Sequence, residues 1–329
     1  MSVIEDGSWR VPDPGEEPEG AYDRSETTFR DRIRDAPDAE FPPEADRYHL
    51  YVARACPWAH GAVLVRELLG LEDVLTMDVV DPYRDERGWR FSPDRDGCTP
   101  DTVNGTDFLS EVYRRADPGY GGHVSVPVLW DRGRATILNN ESIEVMQMLA
   151  SAFVGLQPEA IDLYPEGRRE EVDRITRALY DPVNNGVYRA GFASSQAAYD
   201  RAVDELFAAL EQLEGLLAEQ RYLAGERLTI ADLRLFPTLV RFDEVYHTHF
   251  RCNRRRLVDY EHLWGYTREL YQLPGVASTV NMAHIKEHYY TTHDSLNPKR
   301  IVPAGPDPEF EAPHGRDALP GGPPEALAG

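Results

Sequence analysis

Residues 47–60 read RYHLYVARACPWAH, and how this stretch divides decides the fold. Tyr48 to Val52 carries the aromatic and β-branched side chains of a strand. Ala53, Arg54 and Ala55 interrupt it, Cys56-Pro57 follows, and Ala62, Val65, Leu68 and Leu69 then recur at helical spacing until Gly70 closes the pattern. Val74 to Val80 is a second β-rich run. Strand, helix and strand in this order make a βαβ unit, whose crossover joins parallel strands.

Outward from this unit, Asp81 to His123 is long, polar and full of Gly, Pro and Asp, as an insertion would be. Val126 to Trp130 and Ala135 to Leu138 flank a turn at Asp131-Arg132-Gly133 and read as an antiparallel hairpin. Asn139-Asn140-Glu141-Ser142 then opens a helix bearing Ile143, Met146 and Leu149. The order predicts an α/β thioredoxin-like domain over 47–155 with an insert at about 81–123. From about residue 160 the strand signals stop. Tyr199, Val203, Leu206, Phe207, Leu210, Leu213 and Leu217 lay one apolar stripe on a long helix. Thr229 and Asp232 form a capping box, flanked by Leu228 and Leu233 as a hydrophobic staple. Residues 160–300 are therefore expected to form an all-α domain. The first 46 residues, with Pro12, Pro14, Gly15, Pro18, Gly20, Pro37, Pro42 and Pro43, read as an extended arm with little structure of its own, and 301–329 as a tail.

With 329 residues, 41% of them apolar, the chain is long enough for about two domains and a self-supporting core. Fifty-seven acidic against 35 basic residues give a net charge of −22, and the only lysines are Lys286 and Lys299. Such a field repels phosphate backbones and anionic membranes, so neither nucleic acid nor a membrane is an expected partner. The acids are spread along the chain, which suits a surface adapted to high salt. Met1 to Arg10 has no apolar leader core, and no apolar run approaches the ~20 residues that span a bilayer. Three cysteines without repeated spacing supply neither a disulfide framework nor a four-ligand zinc site. A soluble protein of the reducing cytoplasm is expected.

The chemistry centres on Cys56, between a strand and a helix whose first residue is Pro57. The partial positive charge at a helix N-terminus favours thiolate over thiol, and Pro is harmless at a position that makes no intrahelical hydrogen bond. A small core cysteine is the bland alternative. A dithiol motif would carry its second cysteine at position 59, which is Ala59, so the site is expected to be monothiol, with any mixed disulfide resolved from outside. Cys98 and Cys252 read as incidental thiols. Pro127 would remove a ladder donor from an ordinary strand; a cis Val126-Pro127 bond turns the Val126 backbone outward as a docking edge, while a trans edge proline is the alternative. Glu141 and Ser142 at a helix start suit the charged ends of an amino-acid group, or serve simply as caps. His49, His60, His247, His249, His284, His288 and His293 include no HExxH or comparable set, and no metal is assigned.

Taken together, RYHLYVARACPWAH, GWRF, HVSVPVLWD, NNES, DPVNNGVYRAGFA, LVRFDEVYHTHF, NMAHIKEHYY and PHGRD, in this order from Arg47 to Asp317, resemble the glutathionyl-hydroquinone reductases, the xi class of glutathione transferases. The resemblance implies a thioredoxin-like domain joined to an all-α domain, a homodimer, and reduction of glutathionyl-hydroquinones by glutathione or another low-molecular-weight thiol. It puts the nucleophile at Cys56, thiol-binding positions at Trp89, Val126 with Pro127, and Glu141 with Ser142, and quinone-pocket tyrosines at Tyr188 and Tyr289. Read alone, Trp89 would be a packing residue and the two tyrosines buried phenols. Gly61 stands where many members carry arginine, which leaves the identity of the small thiol open. The rival activities are a monothiol glutaredoxin-like disulfide reductase and a non-catalytic carrier of aromatic ligands.

Overall fold

The computed structural model describes residues 3–5, 8–11, 17–157 and 160–327, so Pro12, Pro14 and Gly15 of the expected arm lie outside it. In chain order the elements are β1 (Ile4–Glu5), β2 (Ser8–Trp9), β3 (Tyr48–Val52), α1 (Pro57–Leu68), β4 (Thr76–Val79), α2 (Leu109–Ala116), β5 (Val128–Asp131), β6 (Thr136–Asn139), α3 (Ser142–Leu149), α4 (Arg169–Leu179), α5 (Gly186–Gly191), α6 (Gln196–Glu219), α7 (Ile230–Leu239), α8 (Glu261–Gln272), α9 (Val276–Thr279) and α10 (Met282–Thr292), with short 3₁₀ and π turns between some of them.

The chain divides into two units. One holds Ser25–Asp162 and Ser278–Val302; the other holds the segments up to Arg24, Leu163–Ala277 and from Pro303 onward. In the first, the strands run in the order β4-β3-β5-β6, with β3 and β4 parallel and the other pairs antiparallel. Leu50 pairs with Met77 on one side and Leu129 on the other, and all five residues of β3 are buried. α1 and α3 pack on each other, so closely that a side chain at Gly61 would stand 2.6 Å from Met146 Sδ. Gly70 ends α1 as expected: at φ +62° it lets its amide reach Glu67 O (3.0 Å) while Leu71 N reaches Arg66 O (2.9 Å), a Schellman closure.

The expected insertion is ordered rather than loose. It contains α2, whose Leu109, Val112 and Tyr113 are buried. Its loop is held by Asp101, whose carboxylate accepts from the amides of Asn104 (2.9 Å) and Thr106 (3.0 Å), the Thr106 hydroxyl (2.7 Å) and the Tyr51 hydroxyl (2.8 Å). The expected arm also divides. Val3 N and Ile4 N both donate to Gln212 Oε1 in the helical unit, whereas residues 27–31 lie along the edge of β6, through an Arg30–Asn139 bridge and a 3.0 Å bond from Asp31 N to Leu138 O. The expected all-α span of 160–300 is interrupted near its end, because Ser278–Val302, with α10, belong to the unit of the sheet. His284 Nε2 bonds Asp96 O (2.9 Å), His288 Nδ1 bonds Pro82 O (2.7 Å), and Arg95 pairs with Glu287, all fastening α10 to the insertion.

In the helical unit α6 spans the predicted stripe, and the capping box of α7 forms: Asp232 Oδ2 accepts from Thr229 N at 2.9 Å. The tail is anchored by Arg316, buried, which donates to Glu269 Oε2 (2.9 Å) and to the carbonyls of Leu217, Gln220 and Arg221. Among the described residues no helix is long and apolar enough to cross a membrane.

Candidate active site

Cys56 is the N-cap of α1. Its backbone is extended (φ −78°, ψ 121°), Pro57 occupies the first helical position, and the thiol makes no capping hydrogen bond. Sγ instead lies 3.7 Å from Val126 O, at the long end of what a thiol can donate across. The cysteine is half-buried. The Val126-Pro127 bond is cis, and Cys56 lies beside the residue before the proline. Position 59 holds a fully buried alanine. Neither of the other thiols has the character of a nucleophile. Burial, followed by the charge of Asp81, pushes Cys98 up to about 11, and Cys252 is wholly enclosed and raised further by that burial.

Glu141 caps α3, accepting from Ile143 N at 3.4 Å and from the Thr27 hydroxyl at 3.0 Å, and Ser142 is buried with its hydroxyl 3.4 Å from Glu141. The cap and the helix N-terminus coexist: α3 sets an acidic side chain beside the positive end of its dipole in the same turn, suited to the two charges of an amino-acid group.

Trp89 is buried, its carbonyl accepting from Leu109 N at 2.9 Å. Its indole stacks on the His288 imidazole (centroids 5.0 Å apart, 20° between planes), and the Arg84 guanidinium lies over the same ring at 5.6 Å. Tyr289, also buried, packs edge-on to His288 and His293. Because Pro82 O can only accept, His288 carries its hydrogen on Nδ1 in the bond between them. Tyr188 lies in the helical unit, among Phe192, Tyr246 and Phe250 at centroid distances of 5.3 to 6.2 Å. His249 stacks on Phe250, and burial, then the Arg251 charge, lowers its pKa to about 4, so this imidazole is uncharged near neutrality.

Two of the other histidines are held by polar side chains: His49 by the Thr76 hydroxyl (2.7 Å) and Asp78 (3.0 Å), His60 by the Thr279 hydroxyl (2.8 Å). Among the described residues no three His, Cys, Asp or Glu side chains are placed to hold a metal ion. Sequence reasoning gave no site role to Thr27, Tyr113 or Asn140 and weighed His288 only as a metal ligand. Tyr113 is an ordinary helical apolar position and the others are single polar residues, so only their placement gives them meaning.

Residues 55–152 match the glutathione S-transferase N-terminal domain family and residues 196–269 the C-terminal domain family. The chain is 47% identical over 304 residues to the glutathionyl-hydroquinone reductase YqjG of Escherichia coli, covering 91% of this chain and 93% of that one. It is also 47% identical to the glutathionyl-hydroquinone reductase PcpF of Sphingobium chlorophenolicum, covering 93% and 96%. The chain belongs to the glutathionyl-hydroquinone reductases, the xi class of glutathione transferases. Solved members of the class superpose closely on it: the xi-class transferase from Natrialba magadii at 55% identity, TM-score 0.89 and 96% coverage of both chains, and the glutathione-bound YqjG of E. coli at 47% identity, TM-score 0.85, covering 88% of this chain and 96% of that one.

Proposed function

We propose that this xi-class transferase reduces glutathionyl-hydroquinones to hydroquinones, with glutathione or another small thiol as co-substrate, as a homodimer in a reducing, salt-rich cytoplasm. The observation that carries the reading is Cys56 at the N-terminus of α1 beside the Val126 carbonyl, with alanine at position 59, in a chain of this family. The Cys56 thiolate attacks the sulfur of the aryl thioether. A sulfur–sulfur bond forms as the carbon–sulfur bond breaks, and the aryl carbon keeps the electron pair and takes a proton, so the hydroquinone leaves reduced. Tyr188 and Tyr289 serve as hydrogen-bond donors or acids at the phenolic oxygens. The small-thiol half stays on Cys56 as a mixed disulfide. A second thiol attacks it, departs as the symmetrical disulfide and restores the thiolate; thioether plus thiol gives arene plus disulfide, and every atom and electron is accounted for.

Val126, next to the cis proline, offers backbone hydrogen bonds to the peptide-like part of the thiol. Trp89 covers it, and Glu141 with Ser142 at the start of α3 receive its charged end. The deciding assay gives the pure protein a glutathionyl-hydroquinone and excess glutathione and follows free hydroquinone by chromatography. Release of hydroquinone is expected. Turnover of simple disulfides without it would establish the glutaredoxin-like activity instead, and binding without turnover would make the protein a carrier.

A further inference from the structure

The Tyr113 phenol sits where three segments of the sheet unit meet. Its hydroxyl donates to Ser125 O at 2.8 Å and accepts from Ser125 N at 3.2 Å and from Asn140 Nδ2 at 3.1 Å, with Ser125 Oγ a looser neighbour at 3.4 Å. A phenol has one donor and two acceptor positions, and all three are used. Ser125 immediately precedes Val126, and Asn140 immediately precedes Glu141. Asn140 extends the junction to the N-terminal arm, its Oδ1 accepting from Phe29 N at 3.1 Å while its own amide returns to Phe29 O at 3.1 Å; two residues earlier in the arm, Thr27 bonds the Glu141 carboxylate. The Phe29 and Tyr120 rings close around the phenol at 5.9 and 4.9 Å. Tyr113 is fully buried, and that burial raises its pKa, so it remains a neutral phenol.

We propose that Tyr113 is a positioning residue of the thiol site: it fixes the backbone entering Val126 and the turn entering Glu141 and Ser142 relative to each other. The inference rests on the assignment of those three residues to thiol binding. The peptide-like ligand must meet a backbone edge and a helix N-terminus at once, and the Tyr113 phenol is hydrogen-bonded to the residue before each. Removing its oxygen leaves the Ser125 carbonyl and amide and the Asn140 amide without these partners in a buried place, and the two docking segments lose their common tie.

Tyr113→Phe tests this with little change of shape. Glutathione binding to the full-length protein is measured by calorimetry, and Cys56 reactivity by its rate of alkylation with iodoacetamide, which needs no docking. Tyr113→Phe is expected to weaken glutathione binding about 5- to 20-fold and leave alkylation within about twofold of wild type. Asn140→Asp removes the same bond from the other side while keeping the acceptor for Phe29, and is expected to weaken binding too, the double variant falling short of the product of the singles. Binding unchanged in Tyr113→Phe, while Ser142→Ala or Glu141→Gln weakens it, would overturn the proposal alone and make Tyr113 a stability residue that moves only the melting temperature. Unchanged binding in Ser142→Ala and Glu141→Gln would overturn the site assignment and the proposal with it.

Discussion

Serine, threonine, aspartate or asparagine normally occupies a position like that of Cys56, because an oxygen there accepts from the free amides of the first helical turn. A thiol does this poorly, and Cys56 leaves α1 without a side-chain cap. Cys56→Ser should therefore separate function from stability. Thioether reduction should fall at least about a thousandfold, since a hydroxyl near neutral pH does not attack sulfur as a thiolate does. The thermal midpoint should stay level or rise by about 1–2 °C from the better cap. Retained turnover in this variant would remove the nucleophile from Cys56. Asp101 makes the opposite kind of contribution. Burial pushes its pKa up, but the hydrogen bonds from Asn104, Thr106 and Tyr51 outweigh burial and hold it below the usual carboxylate range. A carboxyl depressed on folding stabilises fully above its unfolded pKa of about 3.9, and that contribution fades as pH falls through the folded value. Asp101→Asn should cost about 1–3 kcal/mol at pH 7, and the gap from wild type should narrow below about pH 4. A gap in urea unfolding that is constant from pH 7 to pH 3 would contradict this account.

At the scale of elements, the contact of α1 with α3 explains why a side chain is costly at Gly61. Gly61→Arg adds a cation beside the start of α1 but pushes Cβ toward Met146, and overpacking of this kind costs about 1–3 kcal/mol. Met146→Ala in the same chain should return part of that loss; if the pair is no more stable than Gly61→Arg alone, the collision is not the cause. The elements also show what the sequence could and could not reveal. β3, α1, the hairpin, α6 and the α7 capping box were legible because each rests on local chemistry, a period or a cap. α2 was hidden because its three apolar residues sit in a stretch dominated by Gly, Pro and Asp. α10 was readable as a helix but not as part of the sheet unit, since chain order said nothing of the bonds from His284 and His288 to Asp96 and Pro82. At the site, Cys56 followed from its place between strand and helix, whereas Trp89, Tyr188 and Tyr289 had no local signature and came only from resemblance. Tyr113 had none of either kind, because its role lies in three hydrogen bonds to residues distant in sequence.

At the scale of the molecule, a net charge of −22 works against folding through its own repulsion. Arginines answer part of it in pairs such as Arg134–Glu40, Arg254–Asp204 and Arg300–Asp294, but exposed pairs contribute only about 0–1 kcal/mol each, and the excess of acids is left over. Between 0.1 M and 1 M salt the Debye length shrinks from about 10 Å to about 3 Å. The thermal midpoint should climb over that range in potassium chloride, and a flat or falling midpoint would end the case for a protein suited to high salt. Charge is not the only guard against self-association in this chain. A β-sheet ends in rows of backbone groups open to pairing with another molecule, and the segment around Arg30 and Asp31 already occupies the outer side of β6. A chain shortened to begin after Arg34 would uncover that side, and light scattering should then detect slow clumping that high salt, by weakening the electrostatic guard, makes faster.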